Sequence, residues 1–133
     1  NFFRGTIRRA GSHLAFVEAN DRGAPLTLAL GDVLSARAAG HADQPVVFGI
    51  RPEDIHDSLT LASPDPACSA EVKVEISEPM GAETYLYLDT AATSFIARVR
   101  PTDRFEPGHR IKVTFDLEHA HLFDATTEQV LGK

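Results

Sequence analysis

Apolar and polar residues alternate with a period of two along most of this chain. In AEVKVEIS (70–77), Val72, Val74 and Ile76 point one way and Glu71, Lys73 and Glu75 the other. In RIKVTFDL (110–117), Ile111, Val113, Phe115 and Leu117 alternate with Arg110, Lys112, Thr114 and Asp116. Both patterns predict strands with one buried and one wet face. Shorter runs follow the same rule. Leu14 and Phe16 share a face in HLAFV, Leu26, Leu28 and Leu30 in PLTLAL, and Phe95, Ala97 and Val99 in SFIARVR. In TYLYLD, Tyr85 and Tyr87 oppose Leu86 and Leu88. In VVFGIRPEDI (46–55), Val46, Phe48 and Ile50 form the buried face of a strand that stops at an Arg-Pro-Glu-Asp corner.

Turn residues fall between these runs. NDRGAP (20–25), EPMGAE (78–83) and DRFEPGH (103–109) each hold glycine or proline, and Gly81 suits a positive φ. Two stretches break the rhythm. VLSARAAGHADQ (33–44) is rich in small residues and predicts one helical turn or a loop. HDSLTLASPDPACS (56–69) carries Pro64 and Pro66, which discourage regular structure. No long segment has helical period. Many short strands separated by turns predict an all-β fold, a small barrel or sandwich with few or no helices. The halves 1–55 and 70–124 are each too small to bury their apolar surface alone, so two small barrels packed together are expected.

The chain has 133 residues, 43% of them hydrophobic, which is enough for a real core. Its net charge of −6 and the absence of any basic run beyond Arg8-Arg9 argue against nucleic acid and anionic lipid as ligands. No apolar run approaches the ~20 residues that cross a bilayer, so no direct membrane insertion is expected. The single cysteine, Cys68, cannot form an internal disulfide, which fits a reducing cytoplasm. NFFRGTIRR is too short and too charged for a signal segment, and without an initiator Met it reads as a piece of a longer chain or one with its start removed.

Few constellations carry chemistry. The P-loop pattern G-x-x-x-x-G-K-[ST] is absent, and none of Lys73, Lys112 and Lys133 follows a glycine-rich turn. His119 and His121 have the i, i+2 spacing of a half zinc site on a strand, with Glu118 or Asp124 as further ligands, but a complete set is not indicated. Glu53 and Asp54 resemble a carboxylate pair, yet no nucleophile or general acid accompanies them, and capping of the amides after Pro52 is the simpler reading. Ser12 with His13, or Ser58 with His56, lack the G-x-S-x-G elbow of a nucleophilic serine. Tyr85, Tyr87 and Phe95 suggest a base-stacking platform, but without basic surroundings cross-strand packing is expected instead. The chain is not expected to be an enzyme, and no metal or cofactor site is expected within it.

NFFRGTI (1–7), VVFGIRPEDI (46–55), EVKVEISEPMGAETYLYLD (71–89) and HAHLFDATTEQVL (119–131), in that order, resemble the C-terminal regulatory region of ATPase subunits from ABC importers. The nearest likeness is to the maltose, trehalose and glycerol-3-phosphate branch. The resemblance covers nearly the whole chain; the G-I-R-P-E and E-P-x-G-x-E pair is its most specific part. It implies tandem OB-like barrels of TOBE type that share strands, forming one interlocked unit over 1–133, with 119–124 returning to the first half. It implies a regulatory and dimerisation role in the ATP-binding subunit of an importer for sugars or related solutes. ATP and Mg²⁺ would belong only to an ATPase domain of the same polypeptide. Implied partners are a second copy, that ATPase domain, a regulatory protein and, indirectly, the permease subunits. The implied location is cytoplasmic, peripheral at the inner face of the membrane. The candidate dimer and regulatory corner comprises Gly49, Arg51, Pro52 and Glu53, with Glu78, Pro79, Gly81 and Glu83 of the later turn. Arg51 is expected to pair with a carboxylate or carbonyl. The alternative role is a module that binds a small oxyanion or sugar through backbone amides and Arg51, Arg98 or Arg100.

Overall fold

The computed structural model describes residues 1–100 and 105–132. Asp103 and Arg104 of the expected turn at 103–109, and Lys133, lie outside them. Two five-stranded antiparallel sheets make up the fold. The first holds β1 (Phe2–Ala10), β2 (His13–Glu18), β3 (Thr27–Ala29) and β4 (Pro45–Gly49), completed by β10 (His121–Asp124), in the order β10-β4-β1-β2-β3. The second holds β5 (Ile55–Asp57), β6 (Ser69–Pro79), β7 (Thr84–Asp89), β8 (Ser94–Val99) and β9 (Arg110–Phe115), in the order β5-β9-β6-β7-β8. Its edge strands β5 and β8 approach each other, so this sheet curls into a nearly closed barrel. The all-β reading and the OB-like class both hold.

Alternation explains most strands. Leu86, Leu88, Phe95, Ala97 and Val99 are buried on the inner face of β7 and β8. Two residues break the expectation. Ile76 was expected inside with Val72 and Val74, yet it is 55% exposed. The register explains why: Val74 faces Leu88 while Ile76 faces Tyr87, so Glu75 is an extra residue. Such a bulge turns the rest of the strand over. Leu117 also leaves its pattern, because β9 ends at Phe115 and Leu117 begins a single 3₁₀ turn.

The stretch after β3 forms more than the expected single turn. Helix α1 spans Gly31–Arg37, with Asp32 in its first turn and Arg37 in its last, matching the helix dipole. Leu34 anchors it in the core, and the Ser35 hydroxyl accepts from the backbone N–H of Leu14 at 3.4 Å.

The two sheets share one core. Phe3 of β1 lies 6.0 Å from Phe48 of β4, and across the junction 5.0 Å from Phe95 and 6.1 Å from Phe115. These tilted and edge-on pairings suit aromatic quadrupoles, each adding about 0.5–1.5 kcal/mol beyond burial. Gly5 admits this packing: a Cβ there would sit 2.2 Å from the Val17 carbonyl and 2.7 Å from the Phe16 ring.

Candidate functional site

The Arg-Pro-Glu-Asp corner links the two sheets. β4 ends at Gly49, Pro52 begins a 3₁₀ turn over Pro52–Asp54, and β5 starts at Ile55. Proline has no N–H to extend the ladder, and its fixed φ suits the first helical position. The Asp54 N–H donates to the Arg51 carbonyl at 3.1 Å, and the Asp116 N–H donates to the Asp54 carbonyl at 2.8 Å. The corner is thus held by backbone bonds. Two expectations are corrected here. Among the described residues no side-chain hydrogen bond caps the turn, so Glu53 and Asp54 do not serve as caps. Arg51 is exposed and makes no ion pair or side-chain hydrogen bond among the described residues.

The 3₁₀ turn packs against β8, beside the β6–β7 turn. That turn closes when the Met80 N–H donates to the Glu83 carbonyl at 2.7 Å, and Gly81 adopts φ +80°. Glu53, His56, Asp57, Ala82, Glu83 and Arg98 line a groove of about 360 Å³ between corner and turn. In its wall the Arg98 Nε lies 2.7 Å from Glu83 Oε2, an ionic contact off the hydrogen-bond angle. Both side chains are about two-fifths exposed, so the pair contributes roughly 0–1 kcal/mol. Asp57 is buried in the floor, and its Oδ1 accepts from the Leu59 N–H at 3.1 Å.

The structure therefore brings Glu53 and Glu83 to one groove, keeps Pro52 and Gly81 in the turns that flank it, and places Gly49, Glu78 and Pro79 elsewhere. Gly49 lies on the outer face of the first sheet, where a Cβ would approach Phe123 to 3.0 Å and Phe2 to 3.3 Å. Glu78 stands on the outer face of the second sheet opposite Tyr85, and Pro79 opposite Thr84 ends its ladder. The alternative constellations also separate. His119 lies in a 3₁₀ turn and His121 opens β10, so the two do not share one strand. No group of three potential metal ligands occurs among the described residues. Phe95 is buried while Tyr85 and Tyr87 face outward, so the three make no common platform. The Ser58 hydroxyl shares a hydrogen bond of 2.8 Å with Thr114. His13 Nδ1 lies 3.9 Å from Asp32 Oδ1. Burial, reinforced by Asp65, pushes the Cys68 thiol up to about 11, which leaves it unreactive near neutrality.

A polar junction went unread in the sequence. Glu18 is only 2% exposed. Its Oε1 accepts from the Leu26 N–H at 3.1 Å and from Asn20 Nδ2 at 3.2 Å. Its Oε2 accepts from the Thr90 hydroxyl at 2.7 Å and from that of Thr93. The threonines belong to the β7–β8 turn, so this carboxylate of the first sheet clasps the second. Asn20 Nδ2 also reaches the Thr90 carbonyl at 2.8 Å. Asn1 bonds the free edge of β8 through the Ile96 carbonyl at 2.7 Å and N–H at 2.9 Å. One signal was available: Leu14, Phe16 and Glu18 are alternate residues, so the period places a carboxylate on a buried face. Beside the clasp runs a groove of about 700 Å³ lined by Arg22, Lys73, Asp89 and Arg110, among others. Arg110 is held there by Glu71, with Nε 2.7 Å from Oε1.

Comparison with known families matches residues 48–123 to the TOBE domain and residues 1–55 to the MalK OB fold domain. The multiple sugar-binding transport ATP-binding protein MsmK of Streptococcus mutans is 36% identical over 98% of this chain and 33% of its own length. The oligosaccharides import ATP-binding protein MsmX of Bacillus subtilis is 33% identical over 96% of this chain and 33% of its own. The trehalose/maltose import ATP-binding protein MalK of Thermococcus litoralis is 32% identical over 69% of this chain and 25% of its own. The chain thus spans about a third of the length of the first two relatives. Among solved structures, the cytoplasmic molybdate-binding protein ModG has a similar fold, with a TM-score of 0.63 and 14% identity over 92% of this chain and 94% of that one. Both matched modules are non-catalytic parts of such ATP-binding subunits. The chain belongs to the TOBE domain family, in the group whose relatives are ATP-binding proteins of sugar import.

Proposed function

We propose that this chain is the regulatory and dimerisation module of the ATP-binding subunit of an ABC importer for sugars or related solutes. The observation that carries the reading is the succession of a MalK OB fold match at 1–55 and a TOBE match at 48–123, in relatives named for sugar transport and import. In this reading ATP and Mg²⁺ bind elsewhere in the parent polypeptide. The module lies in the cytoplasm at the inner face of the membrane and meets the permease subunits through its ATPase portion. The groove between Glu53 and Glu83 receives a regulatory protein, and the second barrel contacts another copy of the subunit. The test uses the full-length subunit and a form lacking these residues. Removal should leave nucleotide binding in place and raise the concentration needed for subunits to pair. Loss of nucleotide binding, or pairing at an unchanged concentration, would sink the reading.

A second reading is a small-ligand module, and the junction groove of about 700 Å³ favours it. Arg22 and Lys73 make no ion pair among the described residues, so both remain available to an anion or a polyol. Calorimetry with oxyanions and with sugars decides the matter. Heat that saturates and disappears on Lys73→Ala supports this reading; no heat with any of them removes it.

A further inference from the structure

The junction groove takes its lining from both halves of the chain. Asn20 Oδ1 accepts from the N–H groups of Arg22 and Gly23, each at 3.0 Å, and Asn20 Nδ2 donates to the Thr90 carbonyl at 2.8 Å. One side chain therefore fixes the 20–25 turn and ties it to the second sheet. A Cβ built at Gly23 would lie 3.5 Å from the Ala91 Cβ, so the two turns meet. On the second sheet, Lys73 of β6 stands between Arg110 of β9 and Asp89 of β7. Leu26 and Val72, both buried, give the groove an apolar base.

The charges of this groove nearly cancel. Arg22, Lys73 and Arg110 line it together with Glu71 and Asp89. Glu75 stands beside Asp89, in the field of Lys73. A small oxyanion drawn to Arg22 and Lys73 meets Asp89 and Glu75 at the same time, and its attraction is offset. A neutral polyol meets no such opposition. Each hydroxyl both donates and accepts, so it can donate to a carboxylate and accept from an ammonium or guanidinium. A charged partner strengthens every such bond. The groups are also held in place. Asp89 Oδ1 accepts from the Ala91 N–H at 2.6 Å, and Arg110 Nε lies 2.7 Å from Glu71 Oε1.

We propose that the junction groove binds a neutral mono- or disaccharide, with Asp89 accepting from its hydroxyls and Arg22 and Lys73 donating to them. The proposal rests on the small-ligand reading above and names the ligand class. Pro25, Leu26 and Val72 offer apolar surface to the C–H face of a sugar ring. The volume of about 700 Å³ lies within the roughly 300–1,000 Å³ of small-molecule sites. A ligand held by Arg22 of the 20–25 turn and Lys73 of β6 bridges the junction that Glu18 clasps. Occupancy therefore stabilises the union of the two sheets.

The test is titration of the chain with maltose, trehalose and glucose, and separately with sulfate and molybdate, followed by NMR and calorimetry. At least one sugar should shift the amide signals of Arg22, Lys73 and Asp89 saturably and raise the melting temperature. The oxyanions should do neither. Lys73→Ala and Asp89→Asn should each raise the sugar's dissociation constant about tenfold or more. Leu59→Ser, on an exposed leucine outside the groove, should leave it unchanged. Affinity for a neutral ligand should also hold at ~1 M salt, where screening acts within about 3 Å; a steep fall would count against the proposal. Binding of an oxyanion alone, lost in Lys73→Ala, overturns the saccharide and leaves the small-ligand reading standing. Sugar binding that survives both substitutions overturns the groove as its site. No response to any of these probes overturns the saccharide and the small-ligand reading together.

Discussion

Arg51 shows how a marker residue can differ from a structural one. It is the charged centre of the G-I-R-P-E string, yet its side chain ends in solvent, and the corner is closed by the bonds from Asp54 and Asp116. Arg51→Ala should therefore leave the melting temperature nearly unchanged, within about 0.5 kcal/mol of stability. A large loss would mean that the guanidinium holds the corner. Glu75 behaves differently. As the extra residue of the bulge it comes beside Asp89, whose hydrogen bond and charge raise its titration from the ordinary glutamate value. A carboxyl that titrates higher in the folded state contributes stability below its unfolded value, and this is lost as pH rises through the folded one. In Asp89→Asn the Glu75 carboxyl should titrate lower, and that decline with pH should flatten. Carbon-detected NMR titration and melting against pH measure the two effects.

At the scale of elements, strands of the second barrel were legible because they carry period-two patterns with one wet face. The bulge was not, because AEVKVEIS alternates without interruption and the insertion shows only against the register of β7. Helix α1 was under-read, since VLSARAAG has too few apolar residues to display a helical stripe. The Arg-Pro-Glu-Asp corner was legible as the end of a strand. The groove it forms with Glu83 depends on residues 30 positions away in sequence and was not. The Glu18 clasp was hidden for the same reason: its threonine partners lie 72 and 75 residues along the chain. Glu18→Ala leaves the Thr93 hydroxyl and the Leu26 N–H without their acceptor and takes one acceptor from Thr90 and from Asn20, and should cost about 1–3 kcal/mol or more. Thr93→Val removes one donor and should cost less. Hydrogen exchange checks the location: protection should fall first in Thr84–Val99, while Phe2–Ala10 keeps its protection. Equal loss in both segments would argue against a clasp.

At the scale of the molecule, a single apolar cluster runs through both sheets, with Phe3 reaching Phe95 and Phe115. Phe3→Ala should cost about 3–5 kcal/mol. It should lower one shared melting transition, read by calorimetry, and two separated transitions would contradict the shared core. The last strand has a further consequence, in the order of assembly. β10 pairs with β4, His121 opposite Gly49 and Asp124 opposite Val46, so the sheet begun by the first residues is finished by nearly the last. A ribosome releases the N-terminal half first, but that half must wait for its fifth strand until the C-terminal half has emerged. Closing so long a loop is slow. Until it closes, the edge of β4 is open to pairing with other chains, which makes the nascent first sheet the part of this molecule most in need of a chaperone.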